Sequence, residues 1–414
     1  MNYDFDKRID RRGTNSLKWN VPKEELPMWV ADMDFETAPE IQKAIMERAA
    51  HGVFGYSIVS KEWNSAYVSW WERRHSFHME PDWLLFCNGV IPAVSGVIGR
   101  LMKEDEKILI QPPVYNGFYH VIERSKKALV ENPLVYNGKS YEMDYADLEQ
   151  KLADPKVSLM LLCNPQNPSG RIWTKEELLQ VGELCAKYHV TVVSDEIHCD
   201  ITDPGCRYTP FASVSDACRD NSITCIAPTK TFNLAGLKTA AMVISNKELR
   251  KQVRKGIQAN EASEPDSFSV EAAIAAFTKG EPWLEALRAY IWENKKCVED
   301  FLKKELPWVH MISGKASYLV WLEYSALDRI HSSQNLEQDE MPAETKEREE
   351  NNRNFAGFLR KHAGLYLMDG REYGENGSSF LRMNIGCPRS YVTEGLTRLK
   401  KGAELFKSMN EMRD

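Results

Sequence analysis

The sequence lacks the features that mark secreted, membrane-spanning or metal-ribbon proteins. Its nine cysteines are scattered and form no C-x-x-C pair, which argues against a disulfide framework and favours a reducing cytoplasm. The longest apolar runs, such as residues 157–163, are only about strand length, so we expect no membrane span. Residues 1–6 are acidic and polar, so we expect no secretory signal. No internal repeat is visible.

The chain also lacks an excess of positive charge. Its 53 Lys and Arg residues stand against 60 Asp and Glu residues, for a net charge of −7. A mildly acidic protein has no broad positive field, so we expect neither nucleic acid nor a membrane as a partner. Residues 333–352 hold seven acidic side chains against two basic ones. We interpret residues 326–352 as a solvated insertion; the alternative is an acidic helix that covers the mouth of an active site.

Short apolar runs alternate with amphipathic stretches between about residues 85 and 245. Residues 174–188 predict a helix that Thr174 and Glu177 open as a capping box. Strand, helix and strand at this spacing predict an α/β fold with a mostly parallel sheet and helices on both faces. The predicted buried strands are residues 107–110, 158–163, 190–194, 222–227 and 240–245.

The pattern changes towards the carboxyl end. Residues 265–305 predict helices, and residues 317–323 and 379–384 predict strands of a separate small sheet. Thr37 is the expected cap of an earlier helix, with Pro39 in its first turn. We therefore predict three regions. They are an amino-terminal arm that joins a small domain (1–50), a large domain (51–290) and a carboxyl-terminal small domain that holds the acidic insertion (291–414).

Polar clusters follow the predicted strands at the points where they end. Tyr115, Asn167, Asp195 with His198, and Lys230 each come shortly after a different strand. Because ligands bind outside the carboxyl ends of parallel strands, we expect these side chains at one edge of the sheet.

This set of groups matches the needs of one cofactor. A lysine forms a Schiff base with an aldehyde, and a carboxylate holds a pyridine nitrogen protonated. An amide bonds a phenolate oxygen, and an aromatic side chain stacks on the ring. Residues 88–91 precede a helical stretch that starts near Pro92, and backbone N–H groups there suit a phosphate. The residues therefore predict a pyridoxal phosphate site.

A metal is the competing interpretation of one cluster. Asp195, His198, Cys199 and Asp200 are ligand types in close succession. Adjacent residues of an extended strand point to opposite faces, which is poor ligand geometry. We therefore predict no metal.

Several ordered motifs resemble a known family. Residues 227–237 (Ala-Pro-Thr-Lys-Thr-Phe-Asn-Leu-Ala-Gly-Leu) resemble the lysine signature of fold-type I pyridoxal-phosphate enzymes. Residues 164–170 and 195–198 match the other two signatures in the right order. Residues 28–35 and 380–389 resemble the C–S β-lyase subgroup of the class I/II aminotransferases, which includes the MalY and PatB cystathionine β-lyases. The resemblance implies a large domain with a mostly parallel mixed sheet, a smaller α+β domain from both chain ends, and a homodimer.

The resemblance also implies roles around the cofactor ring. Lys230 would form the Schiff base with the cofactor and then shuttle protons at Cα. Asp195 would pair with the pyridinium nitrogen. Asn167 would bond the ring hydroxyl oxygen, and His198 sits where many aminotransferases place a tyrosine on that oxygen. Tyr115 would stack on the ring.

Further residues are implied for the phosphate. Val90 and Ile91 would donate backbone N–H groups, helped by Thr229 and Lys238. Two departures weaken this phosphate site. Ala227 stands where many relatives have a serine, and Lys238 stands where aspartate aminotransferases have an arginine.

The remaining implied residues concern the substrate and the partner subunit. Tyr56 would reach the phosphate of the neighbouring subunit, so the dimer would share its active sites. Arg382 would grip the substrate carboxylate, and Ala31 would line the substrate side through its backbone.

The predicted activity is β-elimination of L-cystathionine or a related cysteine S-conjugate to a thiol, pyruvate and ammonia. One alternative is an aminotransferase, in which the same carbanion is reprotonated on the cofactor. A second is a regulatory or binding protein that keeps the fold.

Overall fold

A computed structural model of the protein describes residues 3–312, 314–325 and 354–411. The predicted acidic insertion at 326–352 lies outside these residues. The chain divides into two compact units. One holds Glu36–Arg288 with Lys315–Ser317, and the other combines Met1–Phe35, Ala289–Gly314 and Tyr318–Asp414 as far as they are described. We name them the central unit and the terminal unit. Domain borders at residues 50 and 290 stay a prediction.

The described secondary structure alternates strands and helices along the chain. The strands are β1 Leu26–Pro27, β2 Leu84–Cys87, β3 Lys107–Ile110, β4 Ala128–Glu131, β5 Val135–Tyr136, β6 Tyr141–Glu142, β7 Val157–Cys163, β8 Thr191–Asp195, β9 Ser222–Ile226, β10 Ala240–Val243, β11 His310–Met311, β12 Leu319–Glu323, β13 Leu365–Tyr366, β14 Met368–Asp369 and β15 Phe380–Asn384. The α-helices are α1 Pro39–Ala50, α2 Lys61–His75, α3 Val90–Leu101, α4 Asn116–Arg124, α5 Tyr145–Leu152, α6 Lys175–Lys187, α7 Asp216–Asp220, α8 Pro228–Thr231, α9 Lys247–Ala259, α10 Ser269–Lys279, α11 Glu281–Glu305, α12 Phe355–Ala363 and α13 Arg389–Glu411.

None of the described helices combines the length and the apolar character needed to cross a lipid bilayer.

A seven-stranded sheet forms the middle of the central unit, in the order β2-β10-β9-β8-β7-β3-β4. Neighbouring strands from β9 to β4 run parallel, whereas β10 runs antiparallel to both β9 and β2. The buried core contains alternate residues of these strands, such as Leu159, Leu161 and Cys163 of β7. The mostly parallel mixed sheet predicted from the sequence is confirmed.

Local signals account for several helix starts. The side chain of Thr174 accepts the N–H of Glu177 at 3.2 Å, and Glu177 accepts the N–H of Thr174 at 2.7 Å, so the predicted capping box is confirmed. The expected cap at Thr37 is wrong. Proline is favoured at the first helical position, and α1 begins at Pro39, which makes Ala38 the cap residue.

The terminal unit is built on a four-stranded antiparallel sheet, in the order β11-β12-β15-β14. The predicted small sheet is therefore confirmed, with β15 in a central position between β12 and β14. Helices α12 and α13 contribute to the core of this unit through Phe355, Leu359, Leu396 and Phe406. The short strand β1 pairs in parallel with β13, so the amino-terminal arm and the carboxyl-terminal part share one unit.

Candidate active site

A cavity of about 360 Å³ lies in the central unit. Its lining includes residues that end or follow four of the strands: Val90 after β2, Tyr115 after β3, Asp195 at the end of β8 and Lys230 after β9. The carboxyl ends of parallel strands meet at one edge of a sheet, and Cys163 of β7, Asp195 and Cys225 are in register there. The size falls in the range of small-molecule sites.

Asp195 and Lys230 are oppositely charged side chains of the cavity wall, which also includes Lys238. Asp195 is the last residue of β8, and its side chain is buried. Within the described chain its carboxylate accepts one long hydrogen bond, from the N–H of Ile197 at 3.3 Å. Burial raises the pKa of Asp195 to about 6, although that hydrogen bond and the positive charge of Lys230 both lower it. The carboxylate is thus poorly satisfied, and a cationic partner would stabilise its ionised form.

The first turn of α3 forms another part of the wall. The helix begins at Val90, which agrees with the expected start near Pro92. Its cap residue Gly89 has no side chain to satisfy the first N–H groups, and its φ of 143° lies in the region that favours glycine. Because Pro92 carries no N–H, Val90 and Ile91 are the residues whose amides this end offers to an anion.

The reversed strand β10 brings its amino end to the same edge. Ala240 pairs with Cys87, the last residue of β2, so the residues that lead into β10 stand beside the first turn of α3. Lys238 and Thr239 line the cavity for this reason, together with Thr229 in the short helix α8. A lysine, a hydroxyl side chain and helix-terminal amides form a set that suits a phosphate.

Tyr115 is held by a glycine neighbour. It lines the cavity and caps α4, and its ring meets Phe118 edge-on at 5.9 Å. A β-carbon at Gly117 would lie 2.7 Å from Cζ of Tyr115, so this ring position requires the glycine. An aromatic face in the wall is suited to stacking on a planar ring.

Two further predicted residues are buried near the strand ends but do not line this cavity. Asn167 follows β7, and its backbone N–H donates to Sγ of Cys163 at 3.4 Å. His198 follows β8, and its carbonyl accepts the N–H of Ile201 at 3.3 Å. Their roles on the ring hydroxyl oxygen stay predictions.

Arg382 and Ala31 belong to the terminal unit. Arg382 lies on β15, is buried, donates to the carbonyl of Trp29 at 2.8 Å and stands over the ring of Tyr373 at 5.0 Å. The carbonyl of Ala31 accepts the hydroxyl of Tyr318 at 3.0 Å. The residues around Ala31 are thus fixed to the small sheet. That these residues bind substrate stays a prediction.

Tyr56 lies neither in the cavity wall nor in the terminal unit. Tyr56 is fully exposed between α1 and α2, so the described chain gives it no packing partner comparable to those of the other aromatic residues. Contact with a second subunit stays a prediction.

Sequence reasoning missed several wall residues. Ile197, Ala235 and Asn260 line the cavity beside the predicted set. Asn88 also lines the cavity and belongs to the stretch 88–91 that the sequence analysis assigned to the phosphate. Asn260 follows the end of α9, far along the chain, and no local pattern marks it.

The residues present fit pyridoxal phosphate. Lys230 offers an amine for the aldehyde, the buried Asp195 offers a carboxylate for the ring nitrogen, and the first turn of α3 offers amides for the phosphate. The observation that tests this fit is the buried carboxylate of Asp195, because burial raises its pKa and a cationic ring nitrogen would stabilise its ionised form.

Comparison with known proteins identifies relatives over nearly the whole chain. Residues 25–399 match the family model "Aminotransferase class I and II". Cystathionine beta-lyase PatB of Bacillus subtilis (strain 168) is 41% identical over 402 residues, which cover 96% of this chain and 98% of PatB. Protein MalY of Escherichia coli (strain K12) is 31% identical and covers 96% of this chain and 98% of its own length.

A solved structure of a C-S lyase is also similar to this chain. The PLP-bound C-S lyase from Staphylococcus hominis superimposes with a TM-score of 0.87 at 32% identity. The match covers 97% of this chain and 98% of that one.

Proposed function

Because the chain belongs to the aminotransferase class I and II family, we propose that it is a pyridoxal-phosphate-dependent carbon–sulfur β-lyase. We propose L-cystathionine or another S-substituted cysteine as its substrate. The observation that carries the proposal is the pairing of an amine, Lys230, with a poorly satisfied buried carboxylate, Asp195, in the wall of one cavity. The relatives named above support the choice of lyase over other reactions of the family.

Each cavity residue has a separate role in the proposed reaction. Pyridoxal phosphate, when bound, supplies a ring that accepts the electron pair left when the Cα–H bond breaks. The amine of Lys230 takes the proton from Cα, and Asp195 holds a proton on the ring nitrogen. Val90 and Ile91 bind the phosphate through their amides, and Tyr115 orients the ring.

The chemistry at the substrate is an elimination. The Cβ–S bond breaks, and sulfur leaves with the bonding electron pair, which a thiolate tolerates well because its pKa is moderate. The net reaction consumes one water, and cystathionine yields a thiol, pyruvate and ammonia.

The experiment that tests the proposal measures pyruvate release from L-cystathionine with no keto acid added. We expect pyruvate and thiol in equal amounts from the wild type, and none from Lys230→Ala. Amino-group transfer that requires 2-oxoglutarate, without pyruvate release, would instead identify an aminotransferase. Turnover by Lys230→Ala at the wild-type rate would refute the role of the lysine.

We also propose that the protein works as a homodimer in the cytoplasm. Exposed apolar side chains between α1 and α2, namely those of Val53, Phe54, Tyr56 and Ile58, support a covered surface there. The nine cysteines are free, which suits a reducing compartment. Light scattering tests the dimer, and we expect Tyr56→Phe to weaken cofactor retention. A monomer that holds its cofactor would contradict this proposal.

A further inference from the structure

A second buried carboxylate lies close in sequence to Asp195 but outside the cavity. Asp200 is only 1% exposed. Its Oδ1 contacts Nε2 of His75 at 2.9 Å and accepts the indole N–H of Trp70 at 3.1 Å. The guanidinium of Arg74 approaches the same oxygen at 3.5 Å. The carboxylate is therefore well satisfied on this side.

Its other oxygen faces the segment that carries the lysine. Oδ2 of Asp200 accepts the hydroxyl of Thr231 at 3.0 Å, and Thr231 is buried. Thr231 follows Lys230 directly and ends the short helix α8. A helix of one turn has little stability of its own, so an external anchor decides how firmly it is held.

The surroundings identify an anchor rather than a cation site. Ligand atoms of His75, Cys199 and Asp200 do lie within 4.8 Å of one another. The imidazole is already committed to the carboxylate, however, and the positive charge of Arg74 stands beside it. Burial would raise the pKa of Asp200, but His75, Arg74 and the Thr231 hydroxyl together hold it below its usual value. The anion is thus fully compensated by groups of this chain.

We propose that Asp200 and Thr231 are positioning residues, which hold the α8 turn so that the Lys230 amine stays aligned in the cavity. This inference rests on the proposed function, since it concerns the lysine that moves the Cα proton. Small displacements of a reacting group cost large factors in rate, so the loss of one anchoring hydrogen bond is measurable.

The test replaces the hydroxyl without changing the volume. We expect Thr231→Val to lower kcat about 10-fold or more, with little change in KM, because the proton transfer suffers and binding does not. In the same holoenzyme, the midpoint of the pH titration of the visible cofactor absorbance is expected to shift, since that titration reports the surroundings of the lysine linkage. Thr231→Ser keeps the hydroxyl and is expected to restore both values.

A matched variant separates positioning from mere stability. Thr224 is another buried threonine of the central unit, and its hydroxyl has no hydrogen-bond partner among the described residues. Thr224→Val makes the same chemical change and is expected to leave kcat and the absorbance midpoint at wild-type values.

Two results would overturn the inference: wild-type kcat and midpoint in Thr231→Val, or a Thr231→Ser protein as impaired as Thr231→Val. Should Thr231→Val not fold, Thr231→Ala removes the same hydroxyl and is judged by the same outcomes. Failure of the proposed function is distinguishable, because the wild type itself would then release no pyruvate while the absorbance titration could still be compared.

Discussion

Asp195 at the end of β8 and Asp200 in the turn after it are both buried carboxylates, yet their surroundings move their pKa values in opposite directions. Burial raises the pKa of Asp195 to about 6, and one long backbone hydrogen bond does little to offset it. Burial acts on Asp200 in the same sense, but His75, Arg74 and Thr231 outweigh it and lower the pKa. The difference lies in the partners, since the exposure of the two side chains is nearly equal.

The comparison teaches how a fold can assign two roles to one residue type. A carboxylate that the protein leaves poorly satisfied is available to a ligand of opposite charge, at a cost in stability. A carboxylate that the protein satisfies completely serves the fold and leaves nothing for a ligand. Replacement of each acid by its amide should therefore have opposite effects on the free energy of unfolding.

The largest effect is expected for Asp195→Asn. A neutral amide cannot stabilise a protonated ring nitrogen, so we expect kcat/KM for cystathionine to fall about 10²- to 10³-fold. The free energy of unfolding without cofactor should stay the same or rise, because a poorly satisfied buried charge is removed. Steady-state kinetics and urea unfolding measure the two quantities. Unchanged activity would contradict the pairing of Asp195 with the ring.

For Asp200→Asn we expect a loss of stability instead. The amide places a donor among groups that already donate, so we expect the free energy of unfolding to fall by about 3 kcal/mol. Urea unfolding of the two variants side by side gives the comparison directly. If Asp200→Asn were as stable as the wild type, Asp200 would not be the anchor that its contacts indicate.

Glu196 lies between these two acids in the sequence, and its ionisation should make the free energy of unfolding depend on pH. Burial raises its pKa to about 8, from the usual value of 4.5, although Phe211, Ser194 and Asn164 donate to it. Between those pH values the folded chain keeps a proton that the unfolded chain has released, so the free energy of unfolding falls as pH rises. We expect Glu196→Gln to flatten this slope and to gain about 3 kcal/mol at pH 8 relative to pH 5.

A matched control for this prediction is Glu183→Gln, because Glu183 is exposed on α6. Its unfolding free energy should follow the wild-type pH profile. An unaltered slope in Glu196→Gln would show that Glu196 is ionised in the folded protein.

The smallest effect is expected for a substitution in the cavity wall that changes no charge, Gly117→Ala. Gly117→Ala puts a β-carbon against the ring of Tyr115, so the ring must move. We expect cofactor affinity to fall by about 1 kcal/mol, which corresponds to a factor of about five. Gly99→Ala is the control, since a β-carbon there meets nothing within 4 Å. Equal cofactor affinities in the two variants would show that Tyr115 does not contact the cofactor ring.

The parallel part of the sheet and its polar edge could be predicted from the sequence because strand ends carry local signals. Buried apolar runs predicted β3 and β7 to β10 closely, and the clusters after them predicted Tyr115, Asp195 and Lys230 as neighbours. Strands β2 and β4 were missed; β4 is an edge strand with partly exposed residues and lacks the buried apolar pattern.

Other features depend on tertiary structure and left no local trace. The reversed direction of β10 places Thr239 and Ala240 at the cavity, although a rule about carboxyl ends of strands does not include the start of one. The cluster around Asp200 joins His75 from α2 to Thr231 from α8, and sequence spacing could not bring these together. The succession of ligand types from Asp195 to Asp200 raised a metal only as a competing interpretation, whereas the partners of Asp200 are His75 and Thr231, which are distant from it in sequence.

The terminal unit is assembled from both ends of the chain, and this has a consequence for biosynthesis. Leu26 and Met28 are made before the central unit, but the core that buries them includes Leu365 and Leu396, which are made after it. The central unit is almost continuous in sequence and can fold while synthesis continues. The apolar side chains of the arm therefore lack their final partners while the central unit is made, and this is when a nascent-chain chaperone would be of most use to them.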